Sequence, residues 1–139
     1  MKTRSDRLLI SLQATPPTVG FVRTLTAGLL RRWNCAHITD DVLIVASELT
    51  TNAIKATPGG EIRYRLTHDA DAVVTAVWDS DPRLPAPRPP GAPSLETLDL
   101  SHPDDNGGRG LSIVAALSVE NGCTPHPDGG KWVWALMKH

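Results

Sequence analysis

An acid and an amide one helical turn apart, Glu48 and Asn52, are the first residues in this sequence whose types and spacing could do chemistry. At about 100° per residue they stack on one side of a helix, at the margin of an apolar stripe formed by Val42, Val45, Ala46, Leu49 and Ala53. Lys55 lies beside them. Polar groups at a buried margin cost free energy unless something binds there. A carboxylate in that position could act as general base, and an amide oxygen is a hard ligand suited to Mg²⁺. The same pair also reads as a solvated flank joined by an i,i+4 hydrogen bond.

Two further stretches carry chemistry. Val77-Trp78-Asp79-Ser80-Asp81-Pro82 is an apolar strand ending in a carboxylate, which could accept a hydrogen bond from an exocyclic amine. Asp-Ser-Asp-Pro is also ordinary turn chemistry. Asn106-Gly107-Gly108-Arg109-Gly110-Leu111 precedes an apolar helix. Glycines let backbone N–H groups approach an anion, and a helix start carries partial positive charge. Arg109 adds a fork of donors for phosphate oxygens. The stretch is neither a Walker loop nor a dinucleotide fingerprint, and it reads equally as a glycine-rich cap without a ligand.

The elements that must hold these groups follow from periodicity and breakers. Leu8 to Ala14 reads as a first or edge strand. Thr18 to Trp33 has helical spacing at Val19, Val22, Leu25, Leu29 and Leu30, with proline near its start. A turn around Asn34 to Thr39 leads to a second helix, capped by Thr39 or Asp40, that runs to about Ala56 and stops at Pro58-Gly59-Gly60. Ile62 to Thr67 and Val73 to Trp78 form a hairpin around His68 to Asp71. Seven of the twelve prolines fall between Pro82 and Pro103, a long loop of the kind that is functional or mobile. A glycine-initiated helix over Gly108 to Leu117 is followed by strands at Val119 to Cys123 and Trp132 to Met137, joined at Asp128-Gly129-Gly130. The expected fold is a two-layer α+β sandwich. A mixed, mostly antiparallel sheet of about five strands is covered on one face by about three helices.

Composition narrows the function classes. The chain has 139 residues, a size suited to one domain over 1–139, and 14 basic against 15 acidic residues leave a net charge of -1. No basic run exists to neutralise many phosphates, which argues against direct nucleic-acid binding. Leu8-Leu9-Ile10 is too short for a membrane span or a signal segment, so a cytoplasmic protein with no membrane partner is expected. The two cysteines, Cys35 and Cys123, make no CxxC pair; His37 follows Cys35, yet no second metal-spaced pair accompanies them. A disulfide framework and a structural zinc site are not expected.

In their order along the chain these stretches resemble the N, G1 and G2 boxes of the GHKL (Bergerat-fold) ATPase and kinase superfamily. The nearest likeness is to the small anti-sigma-factor-like serine kinases of actinobacterial type. Ser47-Glu48-Leu49-Thr50-Thr51-Asn52-Ala53 is similar to the N box, Trp78-Asp79-Ser80-Asp81-Pro82 to the G1 region, and Gly107 to Val114 to the G2 region. Gly129-Gly130-Lys131 before Val133-Trp134 is similar to the family's last hairpin. The resemblance implies ATP and Mg²⁺ as cofactors, Asn52 as metal ligand, and Glu48 as the catalytic group that polarises the attacking hydroxyl. It implies that Asp79 recognises the adenine amino group, and that Lys55, Asp81, Gly108, Arg109, Gly110 and Leu111 contact the nucleotide. The lid would be about 82–106. It further implies an anti-sigma factor that phosphorylates a serine of an anti-sigma factor antagonist, with a sigma factor as second partner and a homodimer formed through the N-terminal strand and first helix. Two positions depart from the family: Ala56 replaces the usual histidine, and Trp132 the usual threonine that supports the aspartate. An indole at Trp132, on one strand face with Trp134, could narrow or fill the adenine pocket, or else pack at the sheet edge. The alternative is therefore a non-catalytic partner-switch protein with a degenerate pocket.

Overall fold

The computed structural model describes residues 6–83 and 106–139, the first five residues of the second stretch by backbone alone. Five strands, β1 (Asp6–Gln13), β2 (Glu61–His68), β3 (Ala72–Asp79), β4 (Glu120–Pro125) and β5 (Lys131–Lys138), form one sheet in the order β1-β2-β3-β5-β4. All four pairings are antiparallel. Among the described residues three α-helices, α1 (Pro17–Arg32), α2 (Thr39–Ala56) and α3 (Asn106–Leu117), complete the α+β sandwich, with one 3₁₀ turn at Ala36–Ile38. The central strand β3 is buried along nearly its whole length, whereas edge strand β1 alternates between half-buried and exposed residues. That contrast is what a sheet with helices on one face requires of its middle and its margin.

Helix α2 is the pivot of the helical layer: it packs against α1, α3 and β3. Its stripe is the one its spacing dictates, with Val42, Val45, Ala46, Leu49 and Ala53 all buried, and Thr50 buried with them. The expected cap at Thr39 or Asp40 is not made. Ile38 occupies the N-cap with no side-chain cap bond, because the preceding 3₁₀ turn feeds directly into the helix. Asp40 and Asp41 sit instead in the first turn, where they favour the positive end of the helix dipole.

In α1 the buried ridge is Thr18, Val22, Thr26 and Leu30, four residues apart. Val19, Leu25 and Leu29 of the expected stripe are only half-buried. The reason is Tyr64 on β2, fully buried, whose hydroxyl shares a 2.6 Å hydrogen bond with Thr26 Oγ1. Burial pushes the Tyr64 hydroxyl well above its ordinary pKa, so it stays neutral. Helix α1 ends in a Schellman arrangement. Asn34 takes φ 61°, Cys35 N–H donates to Leu30 O at 2.8 Å, and Asn34 N–H donates to Arg31 O at 3.2 Å.

Strand register separates two faces. Ile62, Tyr64, Leu66, Val73, Val77 and Ala135 point into the core between sheet and helices. Trp78, Trp132 and Trp134 alternate to the opposite face, where Arg63 lies 4.2 Å from the Trp78 ring and Arg65 lies 4.4 Å from the Trp132 ring.

Candidate functional site

Glu48 and Asn52 stand one turn apart on α2, both half-buried, and Lys55 follows on the same side but exposed. The flanking stripe that anchors α2 to the sheet fixes their direction. Asp79 closes β3 at the end of the sheet where Ile62 opens its neighbour, and only 3% of its surface is exposed. By register it shares the helix-facing side with Val77 and Thr75. The backbone of Gly108, Arg109 and Gly110 lies in the opening turns of α3, which packs on α2, and Leu111 is half-buried. The side chain of Arg109 and the expected lid, apart from its first two residues and Asn106, lie outside the described residues.

A buried carboxylate needs compensation. Asp79 receives it from Lys131, the first residue of β5 and its direct cross-strand neighbour. Lys131 Nζ donates to Asp79 Oδ1 at 2.7 Å and to the Asp81 carbonyl at 2.8 Å, and both side chains are almost wholly buried. Asp81 N–H adds a third bond, to Asp79 Oδ1 at 2.9 Å. Two donors thus converge on Oδ1, so a further donor from a base amino group would use Oδ2.

Asp81 plays a different part. Its carboxylate accepts the Arg83 backbone N–H at 2.9 Å and the guanidinium at 2.8 Å. The Arg83 hydrogen bonds pull its pKa down to about 2. Asp81 is therefore a turn-former just past the end of β3, with its carboxylate engaged by Arg83.

The turn before β5 fastens this end of the sheet. Trp78 Nε1 donates to Gly129 O at 2.9 Å. Gly129 and Gly130 take φ 112° and 75°. A Cβ at Gly130 would run into the Asp79 carbonyl oxygen and lie 2.8 Å from Trp78 Nε1, so only glycine fits. This close approach delivers Lys131 to Asp79.

Of the two readings of Trp132, the register removes the one in which it narrows the pocket. Strand side chains alternate, so Trp132 faces away from Asp79 and the helices, with Arg65 stacked on it. The position beside Asp79 is 131, one residue earlier, and Lys131 is the site residue that sequence reasoning missed. The β3–β5 register decides it: with Asp79 turned to the helices, its β5 partner must turn there too.

The donor set suits a magnesium nucleotide. The carboxylate and amide oxygens on α2 are hard donors of the kind Mg²⁺ takes, glycine-rich backbone at a helix start suits anionic oxygens, and Asp79 is a buried acceptor of the kind a base amine needs. An open antiparallel sheet backed by helices, with these groups along α2 and at one end of β3, defines a nucleotide-binding domain. Residues 12–136 match the model of the histidine kinase-like ATPase domain, and the chain belongs to that family, which implies ATP binding. No curated protein matches the chain.

Proposed function

We propose that this protein is a partner-switching regulator, an anti-sigma factor that binds ATP with Mg²⁺ and phosphorylates a serine of its antagonist. The observation that carries this reading is the retention of Glu48 and Asn52, half-buried and one turn apart on α2, the helix on which α3 packs. Asn52 would offer its amide oxygen to the cation, and Glu48 would take the proton from the serine hydroxyl. Asp79 would orient the base. Bound Mg·ATP supplies the phosphoryl group. The protein's own task is positioning and charge complementarity, which is most of what phosphoryl transfer asks of it. Sigma factor and antagonist are the protein partners, and a cytoplasmic setting suits both. A homodimer through β1 and α1 is part of the proposal, supported by Leu9 and Phe21, 53% and 49% exposed there.

Labelled ATP with Mg²⁺ and the candidate antagonists of the same genome tests the kinase. The wild type should label one antagonist and Glu48→Ala should not. Labelling that survives Glu48→Ala removes Glu48 from the mechanism.

One observation favours a second reading, in which the protein works by contact alone. Lys131 already engages the carboxylate that would read adenine. On that reading the wild type gives no heat with Mg·ATP, and Glu48→Ala matches the wild type in activity and in partner binding.

A further inference from the structure

At the end of the sheet opposite Asp79, three donors from distant parts of the chain converge. Cys35 follows α1, His68 closes β2, and His139 follows β5. One ligand atom from each lies within 4.8 Å of the others. His68 pairs with Val73, six residues before Asp79, which puts the cluster roughly 20 Å from that carboxylate along the strand. It belongs to no part of the nucleotide site.

We propose that Cys35, His68 and His139 form a binding site for a borderline divalent transition-metal ion, Zn²⁺ foremost. One thiolate and two imidazoles are the donor set such ions prefer over Mg²⁺ or Ca²⁺. Tetrahedral bonds of about 2.3 Å to sulfur and about 2.1 Å to nitrogen hold the donors roughly 3.3–3.6 Å apart, so each side chain need close by only about 1 Å.

The surroundings are arranged as the outer partners of a metal site are. His139 Nε2 lies 3.2 Å from the Asp69 carbonyl; donating there leaves Nδ1 as the ligand atom. His68 Nδ1 is buried without a hydrogen-bond partner among the described residues, 3.7 Å from the Asp6 carboxylate. Coordination through Nε2 makes Nδ1 an N–H donor facing that carboxylate. Trp33 stacks on the His68 ring at 5.2 Å and 10°, holding its plane. The Cys35 thiol is buried, and burial raises its pKa, so it carries its proton until an ion arrives. Binding then exchanges S–H for S–metal and releases one proton to solvent. The fourth position falls to water or to His37, whose ring meets His139 edge-on at 6.1 Å. An ion here would tie the α1–α2 connection to the β2–β3 hairpin and the last residues of the chain.

The test is titration of the full chain, stripped with chelator, with Zn²⁺ by calorimetry and with Co²⁺ by absorption. The expected result is one ion per chain at micromolar or tighter affinity, with about one proton released in buffers of different ionisation enthalpy. Co²⁺ should show a thiolate charge-transfer band, and Cys35→Ser should lose it. His68→Gln and His139→Gln should each weaken Zn²⁺ binding at least tenfold, while His126→Gln, outside the cluster, binds as wild type. His139→Gln guards against misfolding, since His139 lies beyond the last strand and outside the core. Absence of one-to-one binding, a Co²⁺ spectrum without the thiolate band, or affinity unchanged in both histidine variants would overturn the site.

Discussion

Removing the Lys131 ammonium while keeping its bulk, as in Lys131→Met, should be among the most damaging single changes to this fold. The pair it breaks is almost wholly enclosed, with 6% and 4% of the two side chains exposed, and its contact is 2.7 Å. Truncating one partner of such a pair leaves an uncompensated buried charge, a loss of about 3–5 kcal/mol. Asp79 would keep one donor, the Asp81 N–H, which places the loss near the lower bound. With an unfolding entropy of about 2.1 cal/mol/K per residue, 3 kcal/mol in a chain this long lowers Tm by roughly 10 °C. Urea unfolding at pH 7 reads the free energy, and a scan reads Tm. The double variant Asp79→Asn/Lys131→Met removes both charges and should recover most of the loss, because the cost lies in the orphaned carboxylate rather than in the missing attraction. A loss below about 1 kcal/mol for Lys131→Met, or a double variant as unstable as the single, would refute this account of the pair.

Three other consequences are as direct. Gly130→Ala combines positive φ with a collision against the Asp79 carbonyl and should cost at least about 2 kcal/mol, whereas Gly20→Ala, in open space on α1, should stabilise by up to about 1 kcal/mol; urea midpoints compare them. Thr75→Val replaces a wholly buried hydroxyl that has no partner among the described residues with a methyl of the same shape, and a gain of about 1 kcal/mol is expected; a loss would mean that the hydroxyl is bonded in solution. Asp81 has its folded pKa held down near 2, so the stabilisation it brings is complete above its ordinary value and fades as pH falls through about 2. Its carboxyl carbon signal should titrate there, and move only part of the way back up in Arg83→Ala, because the residue-83 backbone N–H still donates to the carboxylate.

Much of this molecule could be read locally. The α2 stripe, the hairpin around residues 68–71 and the glycine turn before β5 are set by residues within one or two turns of each other, and each element formed where its period and breakers placed it. Glu48 and Asn52 share a side of α2 because helical geometry leaves no other arrangement. What escaped was whatever depends on phase or on distant partners. Which face Trp132 takes is decided by the β3–β5 register, and a slip of one residue exchanges it with Lys131. Thr26 looks like a polar interruption of the α1 stripe until Tyr64, far along the chain, supplies its partner. The Cys35, His68 and His139 cluster joins the start of one connection, the end of one strand and the end of another, so no spacing could announce it. The α2 cap failed for a third reason: a 3₁₀ turn entered the helix and left the capping side chains inside it.

Calorimetric titration of Mg·ATP into the wild type, Asn52→Ala and Trp132→Thr tests the central claim, a magnesium-nucleotide site along α2. The account predicts one nucleotide per chain in the wild type and affinity at least tenfold weaker in Asn52→Ala at unchanged Tm. Trp132→Thr should bind within about twofold of wild type, since its indole faces the other side of the sheet. No binding in the wild type, or equal binding in Asn52→Ala, would contradict it.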